Sequence, residues 1–418
     1  MATPEVTVGA APAKVSFWAR AWRTVPFLGP AFLVSVGYMD PGNWATNIEG
    51  GSRFGYTLLW VLLLSNVMAL LLQALSAKLG LATGTTLARA IRDNTPRPVS
   101  LGLWLTAEAA AMATDLAEFL GAAFGFYLLL HIPLLWAALL TGALVFLILG
   151  LHRFGHRVVE LIIIALVAVV GFAYLYEVLI AKPDWAAVGH GFMPGFADAG
   201  AVLVAVGMIG ATVMPHNIFL GSHVVQARRA AAPDEPARKR LYRFALVDLA
   251  IALNIAFLVN AAMLIMSASA FRGGGITQID QAHATLGPLL GAASAGAFAI
   301  ALLAAGLSSS VTGTLAGQSI MEGFIGYRMN LWLRRGITMV PAILAIWWLG
   351  QASASILVLS QVVLSLQLPF TVVPLIWLTS KRNVMGAYAN TRWVALAAWV
   401  VAAIILAFNG YLLWQILA

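Results

Sequence analysis

The chain has 418 residues, 61% of them apolar and only 10% charged, with a formal net charge of +8. Long apolar runs recur from end to end, which indicates an integral membrane protein with many spans and excludes a soluble globular domain. There is no cysteine, so disulfides, thiolate metal sites and cysteine nucleophiles are excluded too.

Residues 1–24 carry Lys14, Arg20 and Arg23 and read as a disordered cytoplasmic tail. A cleavable signal peptide fits poorly, because the apolar segment that follows holds Asp40-Pro41-Gly42-Asn43 in place of a cleavage site. That segment, Val25 to Met39, reaches only about 22 Å at about 1.5 Å per residue, short of a hydrocarbon core of about 30 Å. It crosses only if a second half-helix continues beyond the interruption. Proline removes a backbone donor and glycine relaxes the chain, so the helix is expected to unwind here. An unpaired acid at such a point costs at least ~2.5 kcal/mol on insertion scales, so something must compensate Asp40.

Eleven all-α spans are predicted, at 25–51, 56–80, 100–128, 133–151, 158–181, 198–227, 243–269, 286–315, 331–350, 354–379 and 391–416. They form one transmembrane domain over 25–418, divided into a first five-span half (25–181), a second (198–379) and an appended eleventh span (391–416). With the N-terminus inside, every Lys and Arg falls on an inner segment except Arg53, Lys182 and Arg272. That asymmetry obeys the positive-inside rule and places the C-terminus outside. It also accounts for the basic charge, so nucleic acid is dropped as a partner, and nothing calls for an obligate protein partner.

The sixth span repeats the oddity of the first. Apolar residues from Ala199 to Val213 run into Met214-Pro215-His216-Asn217 and then resume. Paired broken helices at corresponding positions of two halves point to a transporter site at the membrane midplane. If the breaks face each other, the available ligands are the Asp40 carboxylate, the Asn43 amide oxygen, the Met214 thioether and freed carbonyls such as those of Gly37 and Ala211. Oxygen alone would suit Mg²⁺ or Ca²⁺, whereas a thioether favours first-row transition metals. A single carboxylate among neutral donors holds a divalent ion weakly enough to let it go.

Asp40-Pro41-Gly42-Asn43 with Met214-Pro215-His216-Asn217 resembles the paired signature of the Nramp family of proton-coupled divalent-metal transporters. The likeness covers the whole chain, including Asn47-Ile48-Glu49-Gly50-Gly51, Met112-Ala113-Thr114-Asp115-Leu116-Ala117-Glu118, Gly306-Leu307-Ser308-Ser309-Ser310 and Asn409-Gly410-Tyr411-Leu412-Leu413-Trp414. The chain is most similar to the bacterial manganese transporters of that family. The resemblance implies a LeuT-like fold of two inverted five-helix repeats plus an eleventh helix, with helices 1 and 6 broken. It implies metal ligands at Asp40, Asn43, Met214 and the Ala211 carbonyl, with Gln361 joining in one conformation, and a proton as the coupled ion. The function implied is uptake of Mn²⁺, Fe²⁺ and similar ions across the bacterial inner membrane, with no cofactor. Gly37 departs from the alanine common in relatives, but the family uses that position through its carbonyl. A Mg²⁺-transporting branch lacks the methionine, so Met214 argues against it.

Asp115 and Glu118 lie three residues apart on one helix face, and buried acids in a span are functional candidates. The plain alternative is an ion pair with Arg334 or Arg335. The resemblance joins the two readings in a polar network from the site to the cytoplasm. His216 is assigned to proton traffic or gating in preference to ligation, and Asp40 releases a proton when metal binds. Asn66, Gln73 and Asn260 are assigned to interhelical hydrogen bonds, and Glu108 and Glu177 to structural roles. A LeuT-like carrier of amino acids would need room for an organic body. A metalloenzyme would need a water-activating cluster such as His-Glu-x-x-His, which is absent from the sequence. A non-selective channel accords less well with two opposed half-helices.

Overall fold

The computed structural model describes residues 34–151, 156–229, 232, 234–350 and 354–417. The expected tail over 1–24 and the first residues of the opening span, 25–33, lie outside the described residues. Among the described residues every regular element is helical.

A short helical stretch ends in a 3-10 turn at Gly37–Met39, and Asp40 is extended (φ −68°, ψ 164°) before α1 (Pro41–Phe54) begins. A 3-10 turn, Gly55–Leu58, leads into α2 (Leu59–Thr83), which is followed by α3 (Leu87–Asn94), α4 (Arg97–Leu130), α5 (Leu134–Leu151) and α6 (His156–Ala181). After the short α7 (Trp185–His190) come α8 (Ala199–Thr212) and α9 (Pro215–Val224), the two halves of the sixth span. Then follow α10 (Gln226–Arg229), α11 (Glu235–Ala270), α12 (Ile279–Leu290), α13 (Ala292–Ile325), α14 (Leu331–Leu349), α15 (Ala354–Ser380), α16 (Arg382–Met385) and α17 (Arg392–Leu417).

Both expected breaks are present, but each is tighter than expected. Proline at the first helical position has no N–H to leave orphaned and a φ already set for the helix, while the residue before it is driven to extended geometry. Pro41, Gly42 and Asn43 therefore form the first turn of α1, and only Asp40 is extended. Likewise Val213 (ψ 63°) and Met214 (ψ 123°) leave the helical region, and Pro215, His216 and Asn217 open α9.

The predicted eighth span, 286–315, straddles a boundary. Gly291, at φ 96°, separates α12 from α13 in a conformation that a β-carbon disfavours, and α13 runs on to Ile325. The amphipathic α3 was not anticipated: it buries Leu87, Ala88, Ala90 and Ile91, and the Thr86 hydroxyl caps it by accepting from Arg89 N at 3.2 Å. Eight stretches of described helix are long and apolar enough to cross a bilayer. The first, Val34–Thr83, runs through two predicted spans, and Leu134–Gly150 is a shorter apolar helix.

The long helices α4 and α13 form the centre against which the breaks are set. They approach backbone to backbone because the contact residues are small: a β-carbon on Gly306 would lie 2.5 Å from Ala122 N, and one on Gly125 would lie 2.7 Å from the Leu303 backbone. Small residues at such crossings replace the hydrophobic drive that lipid cannot supply. One turn from that contact, Gly121 of α4 receives the ring of Pro41, which seats the first break on the scaffold. Gly306→Leu is expected to cost about 1–3 kcal/mol through overpacking, read as a lower Tm and loss of monodisperse protein in detergent. Gly410→Leu, at a position with no neighbour within 4 Å, serves as the control and should match wild type. Equal Tm in the two variants would refute the close contact.

Candidate metal-binding site

The two prolines determine which backbone oxygens are free. A helical carbonyl bonds to the N–H four residues on, and proline has none. Pro41 thus deprives the Gly37 carbonyl of its partner, and Pro215 does the same to Ala211. Asp40 and Met214 stand immediately before these prolines, and Asn43 and Asn217 two residues after them. The breaks present the same pattern of groups in the same register.

Asp40 caps α1: its Oδ1 accepts from Asn43 N at 2.9 Å and from Asn43 Nδ2 at 2.7 Å. The positive end of the helix dipole stabilises a carboxylate there. Asn43 Nδ2 also donates to the Ala211 carbonyl at 2.9 Å, so a single nitrogen joins the carboxylate of one break to the freed carbonyl of the other. The Thr212 hydroxyl stands 3.4 Å from Asn43 Oδ1. Asp40 is fully buried, and its Oδ2 has no hydrogen-bond partner among the described residues.

Across the site, Asn217 Nδ2 donates to the Met214 sulfur at 3.6 Å, the counterpart of the Asn43–Asp40 contact. The Asn217 amide packs on Gly37, with its Cγ 2.8 Å from where a β-carbon would stand. Gln361 of α15 lies against Gly42 and is 1% exposed; its Nε2 donates to Ser360 Oγ at 3.0 Å and its Oε1 is unpartnered among the described residues. Asp40, Asn43, Ala211, Met214, Gly37 and Gln361 thus all border the paired breaks. Asn217 was quoted in the sequence motif without a role, and its position three residues after Met214 was the available signal. Among the described residues no group of three or more His, Cys, Asp or Glu side chains is placed to hold a metal. The arrangement offers instead one carboxylate, amide and carbonyl oxygens and one thioether, a donor set that suits a loosely held first-row divalent ion.

A trail of polar groups leads from α9 through α4 to α14. His216 is buried, and its Nδ1 lies 3.2 Å from Thr114 Oγ1 on α4. One turn along α4, Glu118 is fully buried with neither oxygen hydrogen-bonded among the described residues. Gly313 of α13 faces both acids, and a β-carbon there would lie 2.7 Å from Asp115 Oδ1. The Arg335 guanidinium stands 3.4 Å from Asp115, donates to Ser310 Oγ at 3.0 Å and lies over the Phe119 ring. Arg334 makes its close contact with Glu108, at 2.6 Å. Glu108 was read as a structural acid, without a named partner. Its spacing of seven residues from Asp115 placed it on the same helix face, and that signal was overlooked.

Asn260 of α11 supports the first break from both sides. Its amide donates to the Tyr38 carbonyl at 2.6 Å and accepts from Asn47 Nδ2 at 2.8 Å. Gln73 of α2 donates to the Tyr38 hydroxyl at 2.9 Å, and Asn66 to Asn254 Oδ1 at 3.2 Å. These are the interhelical bonds expected of polar groups in apolar spans.

Residues 31–415 match the Nramp family, described as natural resistance-associated macrophage protein-like. The divalent metal cation transporter MntH of Deinococcus radiodurans is 50% identical over 398 residues, covering 94% of this chain and 91% of that one. MntH of Bacillus subtilis is 47% identical over 392 residues, with 93% and 92% covered. A crystal structure of the Eremococcus coleocola manganese transporter aligns with a TM-score of 0.85 at 38% identity, over 97% of this chain and 88% of that one. The nucleobase-cation-symport-1 family transporter Mhp1 aligns at 0.60 with 15% identity, over 93% of this chain and 92% of that one, a likeness of fold alone. The fold is LeuT-like: two inverted five-helix repeats, helices 1 and 6 broken, and an eleventh helix. With the family model spanning all but the ends, and relatives half identical over nearly the full length, the chain belongs to the Nramp family.

Proposed function

We propose that the chain carries divalent transition-metal ions, Mn²⁺ first and Fe²⁺ and similar ions with it, into a bacterial cell by proton-coupled alternating access. It is a transporter and not an enzyme. The observation that supports this most directly is the Asn43 amide spanning Asp40 and the Ala211 carbonyl, with the Met214 sulfur on the facing break. An amide NH₂ with two acceptors occupies the position a small cation would take between them. An arriving Mn²⁺ displaces that bridge, and Asn43 turns its amide so that Oδ1 faces the metal. The ion then receives Asp40, Asn43, the Ala211 and Gly37 carbonyls and the Met214 thioether, with Gln361 reaching over in one conformation. The soft sulfur adds little for Ca²⁺ or Mg²⁺ and so contributes selectivity rather than strength.

In this reading the proton leaves Asp40 as the metal binds and passes by His216 and Glu118 to the Asp115–Arg335 pair, with Arg334 and Glu108 continuing towards the cytoplasm. The basic loops support a cytoplasmic N-terminus and an external C-terminus, and the reading places the chain in the inner membrane. The repeats span 25–181 and 198–379, with the eleventh helix at 391–416.

In proteoliposomes, Asp40→Asn should reduce Mn²⁺ uptake to the level of empty vesicles, and near-normal flux would remove Asp40 from the site. Met214→Ala should retain Mn²⁺ transport in part but lose roughly tenfold in discrimination against Ca²⁺, about 1.4 kcal/mol for one soft donor. Unchanged competition by Ca²⁺ would refute the role given to the thioether. Glu118→Gln should impair metal-driven acidification far more than Mn²⁺ binding, and equal loss of both would argue against a separate proton route. An amino-acid panel run alongside should show no flux.

A further inference from the structure

The outer half of the first broken span has two faces. Trp44, Asn47, Ile48, Gly51 and Ser52 pack inward, and the Ser267 hydroxyl of α11 donates to the Ile48 carbonyl at 2.7 Å. On the opposite side, Gly42, Thr46, Glu49 and Arg53 recur at helical spacing and share a stripe. Thr46 and Glu49 line a cavity of about 200 Å³ whose other walls are α8, around Leu203, Val204 and Gly207, α15, including Gln361, and Leu412 of α17, so that Glu49, Thr46 and Gln361 form a polar strip in a mostly apolar wall. Gln361 rests on Gly42 at the first break and is buried, and its Oε1 has no partner among the described residues, so this cavity reaches the edge of the metal-binding site.

At the other end of the stripe stands a charged group that the transport reading does not use. Glu49 and Arg53 form an ion pair at 2.6 Å, with side chains 18% and 38% exposed. Arg53 Nη2 and Asp198 Oδ1 each lie 3.1 Å from where a β-carbon on Gly200 would stand, so they flank the same glycine. Asp198 caps α8 by accepting from Ala201 N at 2.8 Å. Two carboxylates and one guanidinium, drawn from the ends of both half-helices that carry the site, therefore form a group of net charge −1. A negative group on a low-dielectric wall raises the local concentration of cations, and the effect falls with ionic strength.

We infer that Glu49, Arg53 and Asp198 form an electrostatic collar that gathers divalent cations and passes them along the Glu49–Thr46–Gln361 wall to the paired breaks, with Arg53 acting as the counter-charge that limits capture. The inference rests on the transport reading. Glu49 would act before the metal-binding site, by concentrating the ion and not by holding it there.

The test is initial-rate Mn²⁺ uptake in proteoliposomes at low and high ionic strength for wild type, Glu49→Gln and Arg53→Gln. Each substitution removes one charge, and Glu49→Gln also keeps side-chain length. At low salt Glu49→Gln should raise KM about three- to tenfold and Arg53→Gln should lower it, with kcat within about twofold, as expected for steering by single charges. At high salt the three proteins should converge. If the pair is instead a mechanical latch, both variants will shift in the same direction and the shift will persist in salt, which overturns the collar. Identical KM values at low salt overturn it as well. Absence of Mn²⁺ uptake by wild type would overturn the transport reading itself, a result distinct from either of these.

Discussion

The site depends on where two N–H groups are missing. A membrane interior tolerates no unpaired backbone carbonyl without a protein group or ligand to meet it. Pro41 and Pro215 free the carbonyls of Gly37 and Ala211, and they force Asp40 and Met214 into extended geometry so that each side chain projects from a helix end. The same residue therefore makes the acceptor, places the ligand side chain and starts the next half-helix with its positive dipole end facing the break. Asn43 then closes the arrangement by donating to both Asp40 and Ala211.

This arrangement explains how a buried acid persists. On Asp40, Oδ1 has two donors from Asn43, one of them a backbone N–H at a helix start, while Oδ2 has none among the described residues. An unmet acceptor in a buried site costs about 1–3 kcal/mol, and that cost is recovered when a cation or proton arrives. Half-satisfaction is useful here. A carboxyl group with every lone pair occupied by protein donors would have none left for a metal, and one with no donors would have nothing to hold its free oxygen in place.

Much of this was legible in the sequence, for reasons tied to particular residues. Long apolar runs located the spans, and polar residues beside proline in two of them located Asp40, Asn43 and Met214. The extent of unwinding was overestimated because proline was read as a breaker when at Pro41 and Pro215 it is a helix starter. The α12–α13 boundary was passed over because Gly291 sits within a continuous run of small and apolar residues, so hydropathy gives no signal there. Pairings across the bundle were least legible. Thr114 with His216, Glu108 with Arg334 and Asn217 with Gly37 each join elements distant in the chain, and no local spacing encodes which partner is chosen.

The tightness of the breaks bears on how the site opens. With only Asp40 extended at the first and Val213–Met214 at the second, each half-helix is regular up to its break, and the non-helical backbone is confined to those residues. Their attachments differ. α1 is fastened to α11 by Asn47–Asn260, by Ser267 on the Ile48 carbonyl and by Gly51, where a β-carbon would lie 2.6 Å from the Leu264 carbonyl. α9 is fastened instead to α2 and α3, through Ser76 on the Ile218 carbonyl at 2.5 Å and Ser222 accepting from Leu87 N at 2.9 Å. α1 and α9 therefore belong to separate bodies; Asn43 links α1 to α8 through the Ala211 carbonyl, and Asn260 links α11 to the stretch before the first break through the Tyr38 carbonyl. Each net hydrogen bond of this kind contributes only about 0.5–1.5 kcal/mol. In the proposed function, a divalent ion held by Asp40, the Ala211 carbonyl and Met214 would touch α1, α8 and α9 at once and outweigh any one such bond, which would give alternating access a physical link to occupancy of the site.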